Sequence, residues 1–354
     1  MASAVHRLQQ IIQAIRPLDG EAMQEARARQ DRLTKPRGSL GRLEALSNQL
    51  AGITRSAQPS VARKAVIVMA GDHGVAAEGV SAYPSTVTAQ MVYNFLHGGA
   101  AINVLARHVG ARVVVVDMGV AAELAPHPDL LVRKIRRGTG NLARGPAMTR
   151  DEAACSIDSG IQIVTAEIAR GLDLVATGEM GIGNTTASAA IVAALTGHPP
   201  TEVTGRGTGI DDRGLARKVD VIERSLALNQ PDPRDPIDVL AKVGGFEIGG
   251  LAGVILDAAA QRVPVLIDGF ISGAAALIAA RLAPPVKAYL IAAHCSEEMG
   301  HRVILEHLGL RPLLDLQMRL GEGTGAALAM PIVDAAAKLL NEMATFDEAG
   351  VSKQ

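Results

Sequence analysis

Apolar residues recur at helical spacing over residues 5–15, 21–32 and 40–50, with the breakers RPLDG and TKPRG between them. Ser39, with Arg42 and Glu44 close behind, suits the start of the third helix. From residue 64 the pattern changes. Short apolar runs alternate with amphipathic stretches: KAVIVMA (64–70), ARVVVVDM (111–118), LVRKIRRG (131–138), LDLVATG (172–178), VPVLIDG (263–269) and VKAYLIAA (286–293). Most are continuous and β-branched, the pattern of strands covered on both faces. Helix-length stretches separate most of them, which predicts crossover units and a mostly parallel sheet. A last helical pattern at 325–343 is expected to fold back onto the N-terminal helices.

The predicted fold class is therefore α/β: a mostly parallel Rossmann-like sheet flanked by helices, with a small helical domain from both chain ends. The expected bounds are 1–60 plus 325–354 for the helical domain and 61–324 for the α/β domain that carries the site.

Composition narrows the function classes. With 354 residues and 48% hydrophobic content the chain can bury a large core. Only 4 Phe, 3 Tyr and no Trp are present, so Ala, Val, Leu and Ile fill that core and stacking platforms for single-stranded nucleic acid are lacking. Lys and Arg number 35 against 36 Asp and Glu, which gives no long-range attraction to nucleic acid or an anionic membrane. Cys155 and Cys295 make neither a disulfide framework nor a metal quartet. The start, MASAVHRLQQIIQAIRP, lacks the apolar centre of a signal peptide, and no charge-free apolar run reaches the length of a membrane span. The expectation is a cytoplasmic protein whose partners are neither nucleic acid nor membrane.

Ligands of open parallel sheets bind beyond the carboxyl ends of the strands. The strand exits here read AGDHGV, DMGV, RGTGN, TGEMGIGNTT, DGFISG and AAHCSEE. Glycine and small polar residues fill nearly all of them, which points to a ligand cradle across the mouth of the sheet. Gly178 to Thr185 has phosphate-loop spacing and opens the helical run TTASAAIVAAL, but Asn184 stands where a triphosphatase needs lysine. Either its backbone N–H groups hold a single phosphate or it is a tight turn. GRGTGIDDRGLARK (205–218) is a second glycine-rich loop, with Lys218 placed to reach back to an anion. Its Asp211 and Asp212 suit helix capping better than metal binding. His73 and His294 have no partner at metal-ligand spacing and read as hydrogen-bonded loop histidines. Cys295 adjoins His294, but neighbouring side chains on a strand point to opposite faces, which weakens a Cys–His pair.

Glu179, in TGEMGIGNTT, and Glu322, in MRLGEGTGAAL, are carboxylates ringed by glycines. Taken singly, each also fits a helix N-terminal carboxylate that accepts backbone N–H bonds. Two of them at the mouth of one sheet favour catalysis. Glycine walls and a bound aromatic ligand would desolvate such a carboxylate and raise its pKa, which suits a general base.

The strings KPRGSLGRLE (35–44), GDHGV with EGVSAYPSTVTAQMV and GGAAINVLAR (71–107), GTGNLARGPAM (138–148), GEMGIGNTT (178–186), KVGGFEIGGLAG (242–253), DGFISGAAAL (268–277), HCSEE (294–298) and MRLGEGTGAALAMPIVDAA (318–336) resemble the nicotinate-nucleotide–dimethylbenzimidazole phosphoribosyltransferase family. The resemblance runs in order from about residue 8 to about 343. It implies transfer of the phosphoribosyl group of nicotinate mononucleotide to 5,6-dimethylbenzimidazole. The products are nicotinate and α-ribazole 5′-phosphate, for the lower ligand of cobalamin. It implies inversion at the anomeric carbon, a homodimer, no metal and no cofactor. By motif match Glu322 is the proton acceptor and Glu179 a second pocket carboxylate. The phosphate is expected on Gly181, Gly183, Asn184, Thr185, Gly205 and Gly207, with Lys218 as counter-charge. The base pocket is expected at Tyr83, Gln90, Met91 and Met180, and the nicotinate side at Ser296. Some members carry serine in place of Tyr83 and glutamine in place of Met91. Gln90 stands one position away, about 100° round a helix, so the accepted base is left open among benzimidazoles, purines and phenols.

Two other readings compete. A phosphoribosyltransferase using phosphoribosyl pyrophosphate would show paired acidic residues before a Thr-Gly-Gly-Thr-like loop, and nothing here matches. A non-catalytic nucleotide-binding protein would keep the phosphate loops and lose the base, whereas the GEGTG around Glu322 is intact.

Overall fold

The structure, a computed structural model, describes residues 2–352; residues 1, 353 and 354 of the expected terminal helical domain lie outside them. Among the described residues one sheet forms from β1 (Lys64–Gly71), β2 (Ala111–Gly119), β3 (Leu130–Val132), β4 (Leu174–Met180), β5 (Val265–Ile267) and β6 (Leu290–Ala292). The strand order is β3-β2-β1-β4-β5-β6 and every neighbouring pair is parallel. This is the doubly wound Rossmann order, whose direction reverses between β1 and β4.

All eight residues of β1 are buried, yet they serve two cores. Ala65, Ile67 and Met69 join the core with helices Arg150–Ala169, Asn184–Thr196, Phe246–Ala260 and Phe270–Leu282. Val66, Val68 and Ala70 join the one with helices Arg42–Thr54, Thr86–Leu96, Ala101–Val109 and Thr324–Glu342. Strict alternation within a uniformly apolar run is what burial on both faces requires. On the first face two helices approach backbone to backbone. A Cβ on Gly160 would lie 1.8 Å from the carbonyl oxygen of Gly250, and one on Gly253 would lie 2.0 Å from that of Ile157.

Three strands are shorter than their apolar runs. In the 131–138 run only the first residues pair as β3; the basic remainder follows the end of β2, with the Arg133, Ile135 and Gly138 N–H groups going to the Asp117, Met118 and Gly119 carbonyls. Pro264 has no N–H to donate, so β5 begins after it, although its carbonyl still accepts from the Val175 N–H at 3.2 Å. Residues Pro284–Tyr289 form a 3₁₀ turn led by two prolines, which delays β6 to Leu290.

The N-terminal helices run Ala2–Ala14, Gly20–Gln30 and Arg42–Thr54. The third starts after Gly41, at φ 51°, and not at Ser39. The Leu40 N–H there is taken by Glu44 Oε1 at 3.1 Å, and Lys35 Nζ donates to the same oxygen at 2.7 Å. Helix Thr324–Glu342 meets these N-terminal elements. Ala26, Ala51 and Leu340 share a buried cluster, Arg29 Nε donates to the Leu340 carbonyl at 2.7 Å, and Leu33 bridges antiparallel to Thr345.

Candidate active site

The exits of β1 and β4 lie side by side, with Met69 opposite Glu179. Glu179 is buried. Asn184, the first residue of helix Asn184–Thr196, donates its Nδ2–H to Glu179 Oε2. Burial raises the Glu179 carboxyl to about 8, helped by the charges of Asp268, Glu247 and Glu322 and opposed by the Asn184 bond. Glu179 therefore carries its proton at neutral pH.

Glu322 sits in a stretch of left-handed backbone, with φ 83° at Gly321, 63° at Glu322 and 90° at Gly323. For a non-glycine residue this conformation costs energy, and such residues gather at functional sites. Gly178 makes the approach possible: a Cβ there would lie 2.5 Å from the Glu322 carbonyl oxygen. The buried side chain accepts the Ile102 N–H at Oε2, 3.2 Å, in the first turn of helix Ala101–Val109. Burial raises its pKa, and the Ile102 bond acts against that rise. Neither glutamate caps the helix that follows it. The N-caps are Gly183 and Gly323, and the Gly323 and Ala326 N–H groups go to Asp268, at 3.3 and 2.8 Å.

Asp268 is thus a third buried carboxylate of the site. Burial raises it to about 7, against the backbone donors of Ala326, Gly323 and Gly325, and Glu322 adds to the rise. A fourth, Glu247, is fully buried with its Oε1 2.6 Å from His73 Nε2. His73 is therefore a hydrogen-bonded loop histidine. Sequence reasoning passed over both carboxylates. Glu247 lies in GGFEIGG, the same glycine-ringed signal carried by Glu179 and Glu322, and Asp268 follows β5 directly.

The loop Gly181–Thr185 is a tight turn against β1. A Cβ on Gly181 would lie 2.3 Å from the Gly71 carbonyl oxygen, and Gly183 at φ 98° packs over His73. Two of its N–H groups have partners: Ile182 donates to Thr88 Oγ1 at 3.1 Å and Asn184 to the Gly181 carbonyl at 3.1 Å. Thr185 faces the second glycine-rich loop, where Lys218 Nζ donates to Thr185 Oγ1 at 2.8 Å and to the Gly205 carbonyl at 3.2 Å. Lys218 is 1% exposed. Burial lowers it to about 8, with Glu298 pulling the other way. The Gly207 N–H goes to Glu298 Oε1 at 2.8 Å. Three loops are tied here: Arg319 donates to the Gly207 carbonyl at 2.7 Å, and Ala82 N–H to Thr208 Oγ1 at 2.9 Å. Asp211 caps helix Asp212–Asn229 through the Gly214 N–H at 2.8 Å, and Asp212 pairs with Arg206. Among the described residues no group of three or more His, Cys, Asp and Glu is arranged to hold a metal.

The four expected base-pocket residues differ in exposure. Met91 and Met180 are half-buried against the core that contains Val68, Ala70 and Ala326. Gln90 is exposed and Tyr83 is 56% exposed, in the loop tied to Thr208. Ser296 is buried; its N–H goes to His301 Nδ1 at 2.9 Å and its Oγ accepts the Glu298 N–H at 3.3 Å. His294 lies with Nε2 3.9 Å from Asp268 Oδ1, and burial lowers its pKa.

Residues 15–351 match a family model described as phosphoribosyltransferase, which defines the class. The chain is 65% identical over 98% of its length to the nicotinate-nucleotide–dimethylbenzimidazole phosphoribosyltransferase of Roseiflexus sp. (strain RS-1), 98% of which is covered. It is 60% identical to the enzyme of that name from Geobacter sulfurreducens, covering 98% of each chain. The crystal structure of CobT from Thermus thermophilus superposes with a TM-score of 0.91 at 52% identity, over 94% of this chain and 100% of that one. The chain belongs to the nicotinate-nucleotide–dimethylbenzimidazole phosphoribosyltransferase family, and it is an enzyme. No helix among the described residues is long and apolar enough to cross a membrane.

Proposed function

We propose that the enzyme moves the phosphoribosyl group of nicotinate mononucleotide to 5,6-dimethylbenzimidazole or a related base, with Glu322 as general base. The observation that carries this is the pair of buried carboxylates at the β4 exit, Glu322 and Glu179, whose backbones and side chains meet where Gly178 and Gly321 leave no room for a Cβ. Burial, with the charges of Asp268 and Glu247 beside it, raises Glu179 to about 8. Burial raises Glu322 as well, and the Ile102 N–H on its oxygen acts against that rise.

In this reading one ring nitrogen of the base attacks the anomeric carbon from the face opposite nicotinate. The bond to the pyridinium nitrogen breaks and its electron pair stays with nicotinate. The proton on the other ring nitrogen passes to a Glu322 oxygen, and the β linkage becomes α. Protonated Glu179 positions the acceptor base beside it. Lys218 and the loops Gly181–Thr185 and Gly205–Gly207 support phosphate binding, and the product is α-ribazole 5′-phosphate for the lower ligand of cobalamin. A cytoplasmic homodimer completes the proposal, on the resemblance alone.

The purified enzyme, given nicotinate mononucleotide and dimethylbenzimidazole in excess EDTA, should release nicotinate and an α-configured ribazole phosphate one to one, read by NMR of the anomeric proton. Binding of both substrates without product would overturn the proposal in favour of a non-catalytic binding protein.

A further inference from the structure

We infer that the Glu298 carboxylate is an internal anion seated in the phosphate cradle, and that the substrate phosphate must displace it. This rests on the phosphate reading above and adds a residue that decides which ligands enter. Glu298 Oε1 accepts the Gly207 N–H at 2.8 Å. Its Oε2 is buried without a hydrogen-bond partner, and a Cβ on Gly205 would lie 2.1 Å from it. Lys218 Nζ stands 3.2 Å from where a Cβ on Gly207 would be, so carboxylate, ammonium and glycine backbone share one small space.

The position of Glu298 in its own helix supports the same conclusion. It is the N-cap residue of helix Met299–Leu308, yet its side chain makes no capping bond there. The carboxylate serves the opposite loop instead. One oxygen is satisfied and the other is a buried acceptor without a donor, which costs free energy that leaving would recover. A phosphate dianion in the same cradle would bring like charges together beside a single lysine, so the two anions exclude each other. The loop stays in place when Glu298 leaves, because Arg319 and Ala82 also hold it. Only a ligand that brings its own anion can replace the carboxylate, which selects nucleotides over nucleosides.

The test measures binding of inorganic phosphate, nicotinate mononucleotide and nicotinate riboside to the full chain by calorimetry. Glu298→Gln keeps the acceptor for the Gly207 N–H and removes the charge. It should bind phosphate and the nucleotide roughly tenfold or more tighter, with riboside binding unchanged. Equal or weaker phosphate binding by a folded Glu298→Gln would overturn the inference and leave Glu298 as a loop anchor. Glu298→Asp, which withdraws the charge by one methylene, makes the same comparison if the Gln form does not fold. Lys218→Met separates the two layers. If it binds phosphate as well as the native chain, the phosphate reading itself fails and takes this inference with it; lost binding keeps that reading and leaves the Glu298 comparison decisive.

Discussion

A Cβ on Gly321 would stand 2.2 Å from Oε1 of Glu179, so the backbone that presents Glu322 is pressed against the other glutamate. The two carboxylates are placed by one contact that has no room for a side chain. Gly321 is also at φ 83°, where any other residue is strained. Gly321→Ala should therefore push both carboxylates out of register. Displacement of about 1 Å can cost on the order of 10² in rate. The expected result is a kcat loss of that order with the circular dichroism spectrum unchanged; native turnover would show that the contact has no catalytic role.

The buried carboxylates set the pH dependence of stability. Glu179 keeps its proton to about 8 in the folded chain, against 4.5 for an ordinary glutamate. Between those values the folded state binds the extra proton, so stability from this group is full below the lower value and lost as pH rises to the upper one. Asp268 acts with the same sign between 3.8 and about 7. His301 acts oppositely, lowered by burial from 6.5 to about 3, so it adds stability as pH rises through that lower range. From pH 6.5 to 8 the carboxylates act without that offset. The urea midpoint should fall across this window, and Glu179→Gln should flatten the fall. An equally steep fall in Glu179→Gln would place the proton on another group.

Lys218 gives a second pH signature, in binding. Its ammonium is lowered from 10.5 to about 8 by burial. Affinity for nicotinate mononucleotide should weaken as pH rises above about 8, where the folded chain loses this charge. Lys218→Arg, which stays charged, should remove the pH dependence even where it weakens binding overall. A native pH profile in Lys218→Arg would show that another group titrates.

Away from the site, Gly160→Ala tests the helix contact behind the sheet. The added methyl would meet the Gly250 carbonyl at 1.8 Å, and both backbones are buried. Overpacking of this kind typically costs about 1–3 kcal/mol. The thermal midpoint should drop by several degrees while KM stays unchanged; a native midpoint would mean that the helices separate freely.

The sheet was legible because its strands are apolar on both faces and their exits are glycine-rich. Strand lengths were less so, since Pro264, Pro284 and Pro285 act through missing N–H groups that an apolar count ignores. Glu179 and Glu322 were found by their glycine neighbours. Glu247 carries the same signal and was passed over, because its partner His73 is distant in sequence. The place of Glu298 was not readable: HCSEE gives no sign that this carboxylate crosses to the Gly205 loop instead of capping its own helix. Tyr83 and Gln90 were assigned by motif position alone, and both side chains are exposed.

The role of Glu322 is tested most directly by kcat for Glu322→Gln with nicotinate mononucleotide and 5,6-dimethylbenzimidazole, beside the dissociation constant for the nucleotide. Loss of a general base typically costs about 10² to 10⁴. The expected result is a kcat loss in that range with nucleotide affinity within a few-fold of native. A kcat within a few-fold of native would contradict the assignment.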